Sequence, residues 1–338
     1  MRRTAIKPKR LYQLAVEFMA SRPARTSHGE GGRPRIYDDA LILTIASIQN
    51  LHQFSYREAL EFCEDYFTEL PTLSTYHYRL ETFSPDIPQG FIEHLGKKIV
   101  QGAPEKGRFF IMDGTGFSFR DVYPMKFHLG TDIRKIRAHV KVAALVAATG
   151  KRKFVVVASA GPPYASEIKL IEPLLDRMDI PTDVLGDKGY DCIRLIQKIL
   201  DRGCAPVIDI KESRFHQIRS LLRLLSKENA DDHDRYKRRT LIEGLFGNVK
   251  QKLSSHIRVF DQKIAGIFSL LRLAILNMAV LEKLERQMAL SWLWFSNSAS
   301  QALDKNQERD YNSRKAKYLF ALHGSSRAVE FPPKGEEL

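Results

Sequence analysis

Three acids in this chain have neighbours that suit them to phosphate chemistry. Asp113 is followed by Gly114 and Gly116, Asp187 lies between Gly186 and Gly189, and Glu243 stands in Tyr236-Lys-Arg-Arg-Thr-Leu-Ile-Glu-Gly-Leu-Phe-Gly-Asn-Val-Lys250. Cleaving a phosphodiester requires neutralising an anionic centre and deprotonating an attacking oxygen. Two Mg²⁺ ions roughly 3.5 to 4 Å apart can do both, and hard oxygen ligands suit that metal. Glycines beside the two aspartates let a cation and a phosphate approach with no Cβ in the way. At about 100° per residue, Tyr236, Arg239, Glu243 and Lys250 fall within a helical arc of roughly 60°, so one carboxylate is flanked by two cations and a phenol. A solvated helix with an i, i+4 Arg239–Glu243 ion pair has the same pattern, and context must decide between them.

The elements around these acids read as an α/β domain. Phe109–Met112 is a short apolar run ending in Asp113; a polar segment with Pro124 separates it from Val/Ala-rich runs at 139–148 and 154–158. A helix over 165–178, a strand at 183–185, a helix over 192–202, a strand at 206–210 and a basic helix near 215–226 follow. Asp231, Asp232 and Asp234 then suit the start of the helix carrying Glu243. Three strands in a meander and then two crossover strands, with helices covering a mixed sheet, is the order of a ribonuclease H-like α/β fold. If the first and fourth strands are neighbours, Asp113 and Asp187 emerge at one point of the sheet, where open α/β sheets place their ligands. Asp121, Asp132, Asp183, Asp191 and Asp209 are rival acids that read as turn or cap residues, Asp191 as a cap for the helix after it.

Residues 1–106 read as a small all-α region. An amphipathic piece covers about 11–19, Asp38 or Asp39 caps a helix to about Asn50, Ser55-x-x-Glu58 has the spacing of a capping box, and Ser74–Glu81 forms a third helix after Pro71. This is compatible with a helix-turn-helix module that turns Thr75, Tyr76, His77 and Arg79 to DNA. Arg33 and Arg35 around Pro34 are suited to a narrow minor groove. The same pattern fits an ordinary basic linker before a helical module that binds nothing.

Charge points to a polyanionic partner: 53 Lys and Arg against 40 Asp and Glu give a net +13. Nucleic acid leads and an anionic membrane surface comes second, because the apolar run 264–281 is interrupted by Arg272 and Asn277 and reads as a core helix. The basic N-terminus lacks the apolar region of a secretory signal, and three scattered cysteines form no Cys-x-x-Cys pair, so a cytoplasmic protein is expected, on the nucleoid when bound to DNA. Neither zinc-ligand histidine spacing nor a Gly-x-Ser-x-Gly elbow is present.

Asp113-Gly-Thr-Gly, Gly186-Asp-Lys-Gly-Tyr-Asp191 and Tyr236-x₂-Arg239-x₃-Glu243-x₆-Lys250 resemble the signatures of DDE transposases of bacterial and archaeal insertion sequences, and Gly32–Tyr37 with Ser74-Thr-Tyr extends the resemblance over about residues 30–280. It implies a metal-dependent enzyme that binds terminal inverted repeats, cuts there to expose 3′-hydroxyls and joins them to target DNA, working as a homodimer on paired ends. Asp113, Asp187 and Glu243 would carry two Mg²⁺, with Mn²⁺ able to substitute, and Tyr236, Arg239 and Lys250 would hold the DNA end. The expected division is a helical DNA-binding region at 1–106, a ribonuclease H-like catalytic domain at 107–290 and a polar, basic tail at 291–338. Only 55 residues separate Asp187 from Glu243, leaving no room for the large β-strand insertion of some relatives. Two other functions fit: a DNA-binding protein of transposase descent without chemistry, and a metal-dependent nuclease without strand transfer.

Overall fold

Side-chain caps start three helices of the N-terminal region, Asp39–His52, Tyr56–Glu64 and Leu73–Thr82. The structure, a computed structural model, describes residues 6–22, 36–102, 107–129, 132–149, 152–211 and 219–291, with backbone alone at 120–129 and 132–137. Arg33, Arg35 and the tail cluster Arg314, Lys315 and Lys317 lie outside the described residues. Helix α1 is Pro8–Ala20. Asp38 accepts the Leu41 N–H at 2.6 Å and opens α2, Asp39–His52. Ser55 and Glu58 make both bonds of a capping box at α3, Tyr56–Glu64, and Thr72 caps α4, Leu73–Thr82.

A further helix, α5 at Asp86–Gly102, has no counterpart in the sequence reading. Pro88 lies in its first turn, where the missing N–H costs nothing. Its glycines look like breakers but permit close packing: a Cβ on Gly96 would lie 3.2 Å from the carbonyl oxygen of Val155 in the sheet.

The sheet has five strands in the order β3-β2-β1-β4-β5, with β1 Phe109–Leu129, β2 Asp132–Ala148, β3 Lys153–Gly161, β4 Asp183–Gly186 and β5 Ala205–Ile208. β1, β2 and β3 form an antiparallel meander, and β4 and β5 add parallel to β1. This is the ribonuclease H-like order expected. The intervening helices are α6 Glu167–Ile171, continued by a 3₁₀ segment at Glu172–Arg177, then α7 Ile193–Asp201, α8 Leu221–Asp231, α9 His233–Lys237 and α10 Leu241–Leu253.

The long helix α11, Gln262–Ser291, is apolar enough to cross a membrane by length and composition, but 83% of that apolar window is buried within the protein. It is the core helix expected behind the sheet. Its polar interruptions tie the fold together. Asn277 accepts the Val155 N–H at 2.8 Å and donates to the Val155 carbonyl at 2.7 Å, satisfying edge strand β3 beside its bulge. Arg272, buried, donates to Asn50 of α2 and to the carbonyls of Ser254 and His256. The helices before Gly107 therefore share one compact unit, Met1–Leu284, with the sheet; a second unit is Glu285–Leu338.

Replacing Asn277 with Leu would leave two buried backbone groups without partners, at about 1–3 kcal/mol each. Urea unfolding of N277L should show a loss of about 2 to 6 kcal/mol, and a loss under about 0.5 kcal/mol would mean that β3 finds other partners.

Candidate active site

Register brings two aspartates together. Phe110 of β1 lies opposite Val184 of β4 and Ile111 opposite Leu185, so two residues further on Asp113 comes level with Asp187. The strand does not end at Asp113 as its sequence suggested. β1 runs on, with Asp113 paired to Ala144 of β2, while β4 stops at Gly186. Asp113 therefore sits where β1 loses its parallel neighbour, and that open corner is the topological switch point of the sheet.

Local hydrogen bonds hold both carboxylates. Asp113 accepts the Gly114 N–H at 2.8 Å. Asp187 accepts the Gly189 N–H at 2.8 Å and so caps the short 3₁₀ turn Lys188–Tyr190. A Cβ on Gly189 would come within 2.8 Å of an Asp187 oxygen, which is the close approach that glycine permits. Burial pushes the Asp113 carboxyl up to about 6; the Gly114 N–H opposes this, the Asp187 charge adds to it, Arg239 opposes it and Glu167 adds to it.

Glu243 arrives on a segment that is wound differently from the single helix expected. Asp232 caps α9 by accepting the Arg235 N–H at 3.1 Å, but residues Arg238–Thr240 tighten into a 3₁₀ turn before α10 begins. The break coincides with ties to the sheet: Arg235 grips Asp183 at the start of β4, and the Arg238 guanidinium lies 5.5 Å from the centre of the Phe109 ring. A 3₁₀ turn advances about 120° per residue, so the arc drawn for a continuous α-helix does not survive intact. Even so, Arg239 Nη1 is 3.4 Å from Glu243 Oε1, and its guanidinium lies 5.8 Å from the Tyr236 ring centre. Lys250 Nζ is 5.9 Å from the ring of Phe117, a β1 residue on the same face as Asp113. Lys153 of β3 donates to the Leu241 carbonyl at 3.3 Å and fixes the start of α10.

Other expected residues are placed elsewhere. Arg79, expected to face DNA, is only 7% exposed: it donates to Asp39 and to the Tyr37 carbonyl, each at 2.6 Å. Tyr76 is buried against Gln49, so the outward face of α4 carries the expected His77 with Ser74 and Tyr78. Asp191 does not cap α7, whose N-cap residue is Cys192; its carboxylate receives Arg223 and the Lys211 N–H. Asp183 holds Arg235 and Asp209 pairs with Lys188, while the side chains of Asp121 and Asp132 are outside those described. Glu167 was missed altogether. Its carboxylate lies 2.9 Å from where a Gly114 Cβ would be, and Lys141 Nζ is 3.5 Å from it.

Asp113 and Asp187 fit a divalent cation by donor type and by mutual crowding, which a cation between them would relieve. Glu243 is paired with Arg239 and 58% exposed, and among the described residues no three acid, histidine or cysteine side chains converge on one point.

The sheet order and the aspartates at its switch point define a ribonuclease H-like domain. The profile of the transposase DDE domain family matches residues 104–278, more than half of the chain, and the chain belongs to that family. An uncharacterized protein of Aquifex aeolicus (strain VF5) is 28% identical over 264 residues, covering 77% of this chain and 82% of the relative. The piggyBac transposase synaptic complex with hairpin DNA, solved by cryo-EM, is 10% identical with a TM-score of 0.40 over 83% of this chain and 72% of that one, too distant to bear on the site.

The raised Asp113 pKa has a definite sign. The folded protein holds this proton more tightly than the unfolded chain does, so stability falls as pH rises from about 4 to about 6 and the loss persists above. Without metal, D113N should melt about 2 to 4 °C above wild type at pH 8 and level with it at pH 4. A D113N midpoint at or below wild type at pH 8 would show that Asp113 carries no such strain.

Proposed function

We propose that the protein is an insertion-sequence transposase that binds the terminal inverted repeats of its element, cleaves DNA at the ends to expose 3′-hydroxyls, and joins those ends to target DNA. The observation that carries this reading is the level placement of Asp113 and Asp187 on parallel neighbours, with Glu243 and its cations on the helix that follows. Asp113, Asp187 and Glu243 are the residues that would hold two Mg²⁺, or Mn²⁺ in its place. When bound, the ions supply the charge that neutralises the scissile phosphate and lowers the proton affinity of the attacking oxygen.

The remaining steps belong to the chain itself. Arg239 faces a carboxylate on one side and a phenol ring on the other. A DNA phosphate offers its planar fork a stronger, bidentate partner than the exposed Glu243 does. That exchange would free Glu243 to join the two aspartates. Lys250, over the Phe117 ring, supplies a second phosphate contact further along α10, and Tyr236 packs the sugar-phosphate beside Arg239. The helices before Gly107 would recognise the ends, with Ser74, His77 and Tyr78 taking the part expected of Arg79, and Arg33 and Arg35 reaching the minor groove. Two copies would pair the two ends, in the cytoplasm and on the nucleoid.

The test uses the full chain and duplexes carrying the DNA that flanks its gene. Short inverted repeats should border the gene, and the protein should nick them with Mg²⁺. D113A, D187A and E243A should each abolish nicking while end binding stays within a few-fold. Near wild-type cutting by any one would sink the assignment of that acid.

A second set separates cations that grip DNA from structural ones. R239A and K250A should leave the thermal midpoint nearly unchanged, reduce cleavage at least about tenfold, and lower the salt slope of end binding by about one unit for each phosphate no longer neutralised. R239K should recover only part of the rate. R79A should instead lower the thermal midpoint, because it strips Asp39 and the Tyr37 carbonyl of a partner. A surface ion pair alone contributes on the order of 0.3 to 0.5 kcal/mol, so wild-type cleavage by R239A would leave Arg239 and Glu243 as no more than that.

A further inference from the structure

Behind the acid pair lies a second layer of polar groups. Alternation along β1 puts Gly114 on the face opposite Asp113, and it is this rear face that Glu167 of α6 approaches. Its carboxylate occupies the space a Gly114 Cβ would need, at 2.9 Å, with Lys141 3.5 Å away on the same rear face. Tyr190, from the turn capped by Asp187, packs beneath the end of β4, where its ring lies 3.3 Å from the position of a Gly186 Cβ. It is 1% exposed, and among the described residues its buried hydroxyl has no acceptor within strict hydrogen-bonding geometry, Glu167 being the carboxylate placed to serve as one. Burial raises its pKa, and among charges Glu167 acts on it most, ahead of Asp113 and Asp187.

A buried phenol whose donor is not fully used is costly, by about 1–3 kcal/mol, and a carboxylate on the same face gives that donor a use. We propose that Glu167 and Tyr190 form an outer layer of the cation site: Glu167 buttresses the Asp113–Gly114 backbone from behind and adds a fourth negative charge, and the Tyr190 hydroxyl, on the same rear face, is the donor that fixes Glu167 when an ion is bound. Both are positioning residues, acting through Asp113 and Asp187. Outer groups of this kind are worth about 10- to 100-fold in metal affinity. The assignment rests on the reading of Asp113 and Asp187 as cation ligands.

Calorimetric titration of the full-length protein with Mn²⁺ tests it without recourse to activity. D113N should lose most of the binding, and E167Q and Y190F should each weaken it by about tenfold. E167D, which keeps the charge, should retain most of it. G114A offers an independent route, because its new methyl must push the flexible Glu167 carboxylate away while leaving it in the chain. G114A should match E167Q, and the double variant should be no weaker than either single one. Wild-type Mn²⁺ affinity in E167Q and Y190F, with D113N still defective, would overturn the outer layer and leave the acid pair standing. A wild-type protein that binds no Mn²⁺ would overturn both.

Discussion

The parallel pairing of β1 with β4 is the constraint on which this site depends. Backbone hydrogen bonds set that register, and it forces Asp113 and Asp187 to the same level whatever their side chains prefer. Two carboxylates brought together in a half-buried corner repel each other, and the raised pKa of Asp113 records the combined effect of burial and that crowding. A sheet optimised for stability alone would not place two acids there. The strain is intelligible where a cation or a cationic side chain is to be received, which is the usual relation between local strain and function.

The surrounding elements make the corner rigid on one side and adjustable on the other. Arg235 on Asp183, Lys153 on the Leu241 carbonyl and the buried Arg272 tie α9, α10 and α11 to the sheet and to α2. Because Asn50 and Arg272 link the N-terminal helices to the core that carries β1, a DNA end held by the former would be held at a fixed place relative to the acids. Glu243 differs from the aspartates. It is exposed and joined to Arg239 by an i, i+4 contact worth only a few tenths of a kcal/mol, so little energy opposes its release.

Much of this was legible in the sequence because its signals are local. Ser55 with Glu58, Asp38 with Leu41 and Asp232 with Arg235 are bonds between residues three apart, and each helix starts where those residues stand. The acid pair could be inferred because the order of elements restricts the sheet to few topologies. What was not legible depends on partners distant in sequence. Arg79 turns inward because Asp39, forty residues earlier, is there to receive it. α5 was hidden by Gly96, whose purpose is contact with Val155. The 3₁₀ turn at 238–240 coincides with Asp183 and Phe109, and Glu167 announces itself only through the missing Cβ of Gly114.

Diffraction from crystals of the full-length protein soaked in Mn²⁺, with anomalous differences recorded near the manganese edge, would show where the cation sits. Anomalous density is expected bounded by the carboxylates of Asp113 and Asp187, with Glu243 turned from Arg239 toward it. Manganese bound elsewhere, with the two aspartates bare and Glu243 still on Arg239, would contradict that placement.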